Sequence, residues 1–243
     1  MTSRVSRSDV TFDLGRLVSE VEIIREIESF GRGTFEHSIS LPSESDVDEE
    51  FRTHRNNLPF SDVLSHCPYI KEIFEYFHAP KAAFRLLRRL PGSAYSLHDD
   101  KDLGTQVCRM QIPIITNELA FLTIPTDSFD REAFNCFASD YIERAKGDVW
   151  FELSELTQRF GRNFEHFRLE PGYLYFFDTS RLHTLINAGP RERITLALDL
   201  VVNSWLTNWM AVHMQQRVEP VATDELEGAR WEWDSLRFGI IAH

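Results

Sequence analysis

The spacing of apolar residues predicts a chain that starts with helices and then changes to short strands. Residues 14–28 carry apolar side chains three or four positions apart, which is the period of a helix with one buried face. Residues 68–78 form a second helical segment with a proline near its first turn. Between them, the polar stretch 42–50 is predicted to be a surface loop.

From about residue 82 the pattern is one of short segments rich in β-branched and aromatic residues, which is typical of strands. Pro-Gly and Gly-Pro pairs separate several of them as turns. A helical pattern at 130–146 interrupts the series, and helix returns after residue 202. The predicted strand segments are 83–90, 93–98, 106–115, 119–124, 148–153, 164–169, 172–177, 183–188 and 192–202.

Many short strands without alternating helices favour an antiparallel sandwich or barrel over a parallel α/β fold. A double-sheet jelly roll has about eight strands, close to the number of segments here. We therefore predict a mainly β, single-domain protein with flanking helices. Its parts are a helical or irregular cover at 1–80, a jelly-roll core at 82–202 with an inserted helix at 130–146, and C-terminal helices at 203–243.

Charge and cysteine content narrow the range of partners. The formal net charge is −12, and such a surface repels phosphate backbones and anionic lipids, so neither nucleic acid nor membrane is expected as a partner. The simpler interpretation, that the acidic residues only keep the protein soluble, stays open. Cys67, Cys108 and Cys136 form no CxxC pair, and no signal peptide or long apolar run is visible. We expect a cytoplasmic location.

Three residues form a candidate iron site. His98 and Asp100 are separated by one residue, and positions i and i+2 of a strand point to the same face. His183 begins a later strand segment and is the third candidate ligand. Two imidazoles and one carboxylate on one face of Fe(II) leave positions open for a bidentate co-substrate and O₂. A His-x-Asp pair alone occurs often by chance, and Asp99 is a competing carboxylate that a strand would point away from His98.

Arg193 is the candidate for binding 2-oxoglutarate. This diacid chelates iron through its keto acid end, so its far carboxylate needs a cation, and arginine meets a carboxylate with two parallel hydrogen bonds. Strand alternation puts Arg193 and Thr195 on one face with Asp199, so the first two can hold the carboxylate together. The alternative is an arginine at the rim, paired with Glu192 or Asp199.

A second pair of polar residues alternates with apolar ones on another predicted strand. Arg109 and Gln111 share one face, and Met110 and Ile112 share the other. An inward-facing Arg109 can bind a second carboxylate, from co-substrate or substrate. Otherwise it is a solvated strand residue.

Four segments, taken in order, resemble the aspartyl/asparaginyl β-hydroxylase family of 2-oxoglutarate oxygenases over about residues 82–202. They are PGSAYSLHDD at 91–100, CRMQIPIITN at 108–117, GYLYFFDTSRLHTLIN at 172–187 and RITLALD at 193–199.

The resemblance implies a double-stranded β-helix (jelly roll) core around Fe(II) and 2-oxoglutarate, with His98 and His183 as iron ligands and Arg193 at the far carboxylate. Arg109 is similar to an arginine that the family places near substrate and co-substrate, and Gln111 stands where histidine is frequent. Animal members carry glycine at the position of Asp100. The aspartate is similar to that of bacterial relatives that hydroxylate free amino acids, and it disfavours a halogenase.

These features predict an Fe(II)- and 2-oxoglutarate-dependent dioxygenase, a hydroxylase that consumes O₂ and releases succinate and CO₂. Its substrate is expected to be an amino-acid-like, carboxylate-bearing small molecule or a peptidyl Asp/Asn-type residue. No catalytic residue beyond the metal ligands and no oligomeric state is predicted. The alternatives are a non-catalytic metal-binding jelly-roll ligand sensor, which has no need of the Arg193 clamp, and a cupin-type isomerase, which would need more histidines.

Overall fold

The computed structural model describes residues 4–27, 36–41, 62–95, 97–101, 106–134, 136, 151–152, 163–222, 226 and 230–233. Within these ranges no helix has the length and apolar character that crossing a bilayer requires. The helices are α1 (Leu14–Ile27), α2 (Pro68–Tyr76), α3 (Ser204–His213) and a 3₁₀ turn at Asp62–His66. The strands are β1 (Val5–Thr11), β2 (Glu36–Ser40), β3 (Lys81–Arg89), β4 (Ser93–Ala94), β5 (Val107–Ile115), β6 (Ala120–Pro125), β7 (Phe151–Glu152), β8 (Phe164–Arg168), β9 (Tyr173–Phe177), β10 (Thr184–Asn187), β11 (Arg193–Val201), β12 (Gln216–Arg217) and β13 (Arg230–Trp233).

These strands form two sheets with the connections of a jelly roll. The larger sheet has the order β12-β1-β9-β5-β11-β3-β2, and the smaller has the order β7-β13-β4-β10-β6-β8. If β3, β4, β5, β6, β8, β9, β10 and β11 are numbered one to eight along the chain, they lie in the orders 1-8-3-6 and 2-7-4-5. Strands four and five are neighbours in the smaller sheet, and every other pair of successive strands is divided between the two sheets, in which these eight strands pair antiparallel. The predicted mainly β, jelly-roll fold class is confirmed.

Strand β11 lies inside the larger sheet, between β5 and β3, and is buried on both faces. Its outer face carries Ile194, Leu196, Leu198 and Leu200, which belong to one apolar cluster with the buried stripes of α1 and α2. Full burial of each such side chain stabilises the fold by about 1.5–3 kcal/mol. The other face of β11 therefore points between the two sheets, and it carries the polar residues of the predicted alternation.

Local sequence signals explain two turns, which were predicted, and one helix cap. Gly92 and Gly172 have φ angles of 68° and 81° in the two Pro-Gly turns, a conformation in which other residues are strained. The Asn203 side chain accepts a 2.8 Å hydrogen bond from the backbone N–H of Leu206 and so caps the start of α3.

Four strands were not predicted. Strand β1 pairs with β9 inside the larger sheet, although five of its seven residues are polar or charged. Its pairing comes from main-chain hydrogen bonds, which leave no hydrophobic pattern. The prediction of helical or irregular structure over 1–80 is wrong at β1 and β2, and that of helices over 203–243 is wrong at β12 and β13.

The inserted helix is only partly visible. Residues 131–134 are helical as predicted, while most of 130–146 lies outside the described residues. The single-domain organisation over 1–243 stays a prediction.

Candidate metal centre

Two histidines meet across an isolated antiparallel bridge. The N–H of His98 donates to the carbonyl of His183 at 3.1 Å, and the N–H of His183 donates back at 2.8 Å. Directly opposite residues of antiparallel strands share a face, so both imidazoles point the same way, with ring centroids 4.3 Å apart. The bridge thus joins two residues that are far apart in the sequence.

Asp100 completes the group. Its N–H donates to the carbonyl of Thr179 at 2.8 Å, which fixes the backbone beyond His98. Its Oδ2 lies 3.8 Å from Nε2 of His183. One ligand atom from each of His98, Asp100 and His183 lies within 4.8 Å of the other two, and the described part of the chain contains no other such group of His, Cys, Asp and Glu side chains. The predicted triad is therefore brought together.

The surroundings of His183 keep its imidazole in the form that binds metals. Nδ1 lies 2.9 Å from the carbonyl oxygen of Arg181, and because a carbonyl only accepts, Nδ1 carries the proton. Nε2 therefore presents its lone pair towards Asp100. The residue is 3 % exposed, and this burial, together with the charge of His98, lowers the pKa of His183 to about 3. The ring is neutral at pH 7, as metal ligation requires.

Asp99 is held away from this group. Its carboxylate accepts a 2.7 Å hydrogen bond from Lys101 and lies 3.9 Å from Arg131. Burial opposes ionisation of Asp99, but the hydrogen bond and the charge of Lys101 outweigh it, so the pKa of Asp99 is lowered. The competing carboxylate is thus engaged elsewhere.

Arg193, Thr195 and Gln111 lie together on the face of the larger sheet that points between the sheets. Antiparallel pairing sets Ala197 of β11 opposite Gln111 of β5, so Gln111 and Thr195 are diagonal neighbours. Arg193 is 3 % exposed and therefore does not lie at a solvated rim. Glu192 accepts from Nε of Arg88 at 2.6 Å, on the outer side of β3.

Two polar atoms on this face are available for hydrogen bonds to a ligand. Among the residues that the structure describes, Thr195 Oγ1 and Gln111 Oε1 are buried and have no hydrogen-bond partner. A buried polar atom in this state costs about 1–3 kcal/mol, and native proteins seldom leave one without a reason. A hydroxyl beside a buried guanidinium suits a carboxylate, so the donor set fits the far end of 2-oxoglutarate.

Arg109 contacts carboxylates of the protein itself. Its Nε and Nη2 donate to the two oxygens of Asp199 at 2.6 and 3.1 Å, and its Nη1 donates to Asp100. Arg85 donates to Asp199 at 2.9 Å from the other side. The solvated alternative for Arg109 is wrong, because the residue is buried.

The sequence did not predict that Asp199 would pair with Arg109 and Arg85. The available signal was a single acid inside the apolar run LALDLVV, which is where a buried ion pair is expected.

A cavity of about 520 Å³ opens beside the metal group. Asp100 and Arg109 line it, together with apolar side chains that include Phe176 of β9 and Met210 of α3. The remaining lining residues are Lys101, Val107, Cys108, Asp178, Thr179, Ser180 and Val202.

No protein-family model matches this chain, and no curated protein sequence matches it either. Among solved structures, HygX from Streptomyces hygroscopicus with nickel and 2-oxoglutarate bound is 11% identical over 84% of each chain, with a TM-score of 0.49. A Pseudomonas putida prolyl-4-hydroxylase is 12% identical over 83% of this chain and 95% of that one, with a TM-score of 0.43. The non-heme alpha-ketoglutarate-dependent carbocyclase SnoK from nogalamycin biosynthesis is 12% identical over 82% and 80%, with a TM-score of 0.44.

Proposed function

We propose that this protein is an Fe(II)- and 2-oxoglutarate-dependent hydroxylase. The observation that carries the proposal is the convergence of His98, Asp100 and His183 on one point. Two imidazoles and one carboxylate are the ligand set typical of non-haem Fe(II) oxygenases, and they leave positions open. When bound, the iron supplies the redox chemistry by which 2-oxoglutarate, O₂ and a substrate C–H give succinate, CO₂ and the hydroxylated product.

The side chains of the protein bind and orient 2-oxoglutarate. Arg193 and Thr195 hold the far carboxylate of 2-oxoglutarate, and Gln111 of β5 is the diagonal neighbour of Thr195. Tyr175 and Phe177, both buried between the sheets, exclude water from this region. The alternating polar residues of β11 therefore set where the co-substrate lies relative to the metal.

The cavity beside Asp100 is the proposed substrate site. Its volume of about 520 Å³ lies within the roughly 300–1,000 Å³ usual for small-molecule pockets. Phe176, Val202 and Met210 offer apolar contacts, and the ammonium of Lys101, which donates one hydrogen bond to Asp99, has two further N–H groups for a substrate carboxylate. This lining supports an amino-acid-like, carboxylate-bearing small molecule or a peptidyl Asp/Asn-type residue, with its carboxylate at Lys101.

The test is anaerobic addition of Fe(II) and 2-oxoglutarate to the purified protein. We expect a weak visible absorption band near about 500–530 nm, as this iron chemistry generally gives, and slow succinate formation once air is admitted. His183→Ala should lose both signals. The control His213→Ala, which changes a partly exposed histidine whose Nδ1 lies 2.8 Å from Oδ1 of Asp9, should keep them.

Failure of the wild-type protein to bind Fe(II) and 2-oxoglutarate together would overturn the proposal. Tight binding of both with no succinate, across a panel of amino acids and peptides, would instead favour the ligand sensor.

A further inference from the structure

Four charged side chains form a largely buried series of ion pairs that ends at the metal group. It runs from Arg85 on β3 through Asp199 on β11 and Arg109 on β5 to Asp100. The pairing of β11 with β5 sets Asp199 directly opposite Arg109, so the contact follows from the register of the sheet. Asp199 is completely buried, whereas Asp100 reaches the cavity.

A contribution to folding stability is a poor explanation for these four linked charges. Removing charges from water costs several kcal/mol per ion, and apolar residues of similar volume often serve a core equally well. The surrounding positions of β11 are already apolar or small. The guanidinium of Arg109 uses Nε and Nη2 for Asp199 and Nη1 for Asp100, so all three of its nitrogens are engaged by these two acids. Its position is therefore set by Asp199, and it sets that of Asp100.

We propose that Arg109 and Asp199 are positioning residues for the metal ligand Asp100, an inference that rests on the proposed function. Arg109 donates to Oδ2 of Asp100, the oxygen that lies 3.8 Å from Nε2 of His183, and so fixes the plane of the carboxylate. Without this restraint the carboxylate could rotate and offer both oxygens to the ion. A carboxylate that bound the ion through both oxygens would fill a position that the chelating co-substrate needs. Asp199 acts through Arg109, because its two hydrogen bonds stop the guanidinium from rotating.

The experiment uses the cobalt-substituted full-length protein, because Co(II) is stable in air and its visible spectrum reports coordination number. The dissociation constant of 2-oxoglutarate is measured for wild type, Arg109→Gln, Asp199→Asn and the double variant. Each single change should weaken 2-oxoglutarate binding by about 10–100-fold, the same factor by which the loss of residues that orient metal ligands typically lowers metal affinity or activity. The double variant should bind no more weakly than the singles, since both act through one contact.

Two comparisons separate positioning from general damage to the fold. Arg88→Gln breaks a partly buried ion pair with Glu192 on the outer face of β3 and should leave 2-oxoglutarate affinity unchanged. Arg109→Lys keeps the charge but cannot bond Asp199 twice and Asp100 at once, so it should not restore affinity. If circular dichroism shows that Asp199→Asn does not fold, Arg109→Lys still tests the positioning role.

The outcomes are distinct. Unchanged affinity in Arg109→Gln, additive effects in the double variant, or full affinity in Arg109→Lys would overturn the positioning role. Failure of the wild-type protein to bind Co(II) or 2-oxoglutarate would instead overturn the proposed function.

Discussion

Replacing Thr195 by Val should move stability and co-substrate affinity in opposite directions. The side chain is 1 % exposed, and its hydroxyl has no hydrogen-bond partner among the described residues. Valine has nearly the same shape, so the substitution removes the cost of the buried hydroxyl without leaving a cavity. Since that cost is about 1–3 kcal/mol, we expect the metal-free protein to gain roughly 1 kcal/mol in free energy of unfolding.

The same change should weaken 2-oxoglutarate binding. A hydrogen bond from the Thr195 hydroxyl to a carboxylate is a bond to a charged group, worth about 1.5–3 kcal/mol. At 1.4 kcal/mol per factor of ten, the dissociation constant should rise by roughly 10–150-fold. The affinity is read from an anaerobic titration of the Fe(II) protein, and the stability from urea unfolding of the metal-free protein.

Thr123→Val is the matched control. Thr123 is also buried, but its hydroxyl is hydrogen-bonded to Nδ1 of His166 at 2.8 Å. Removing it leaves the imidazole without that partner, so Thr123→Val should destabilise the protein and leave 2-oxoglutarate affinity unchanged. If Thr195→Val destabilised the protein as Thr123→Val does and bound 2-oxoglutarate normally, the assignment of Thr195 to the co-substrate would be wrong.

Three further outcomes are expected. Arg193→Lys keeps the charge but loses the planar fork, so the dissociation constant of 2-oxoglutarate should rise about tenfold or more in the same titration. Burial lowers the pKa of His166 from 6.5 to about 4, so protonation favours the unfolded chain, and stability that is complete above pH 6.5 should fall by roughly 3 kcal/mol as the pH drops to 4. Urea unfolding at pH 7 and pH 5 should show a smaller loss in His166→Gln than in wild type. Leu198→Ala, on the outer face of β11, should lower the free energy of unfolding by about 2–5 kcal/mol, and a loss below 1 kcal/mol would contradict its place in the core.

Most of the correct predictions came from the alternation of polar and apolar residues along the strands. It separated Arg193 and Thr195 from the apolar face of β11, and it set His98 and Asp100 on one side of the backbone, because both inferences depend only on neighbours in sequence. Strand β1 was not predicted because it shows no such alternation. Its polar sequence joins the larger sheet through main-chain bonds to β9, and those bonds are independent of side-chain type.

The partners of Arg109 lay beyond what alternation can predict. That Arg109 faces inwards follows from its own strand, but its contact with Asp199 depends on the register of β5 against β11, which is set by the whole sheet. The same limit applies to Arg85, which reaches Asp199 from β3. Long-range contacts between charged residues therefore had to come from the structure.

The apolar face of β11 also determines which residues face the metal side. Ile194, Leu196 and Leu198 pack in the cluster with α1 and α2, and each is worth about 1.5–3 kcal/mol when buried. A slip of one residue would move these side chains to the inner face and push Arg193 and Asp199 into the apolar cluster, where unpaired charges cost several kcal/mol each. The core beneath the helices thus fixes the register, and the register in turn places Arg193, Thr195 and the Asp199–Arg109 contact relative to the metal ligands.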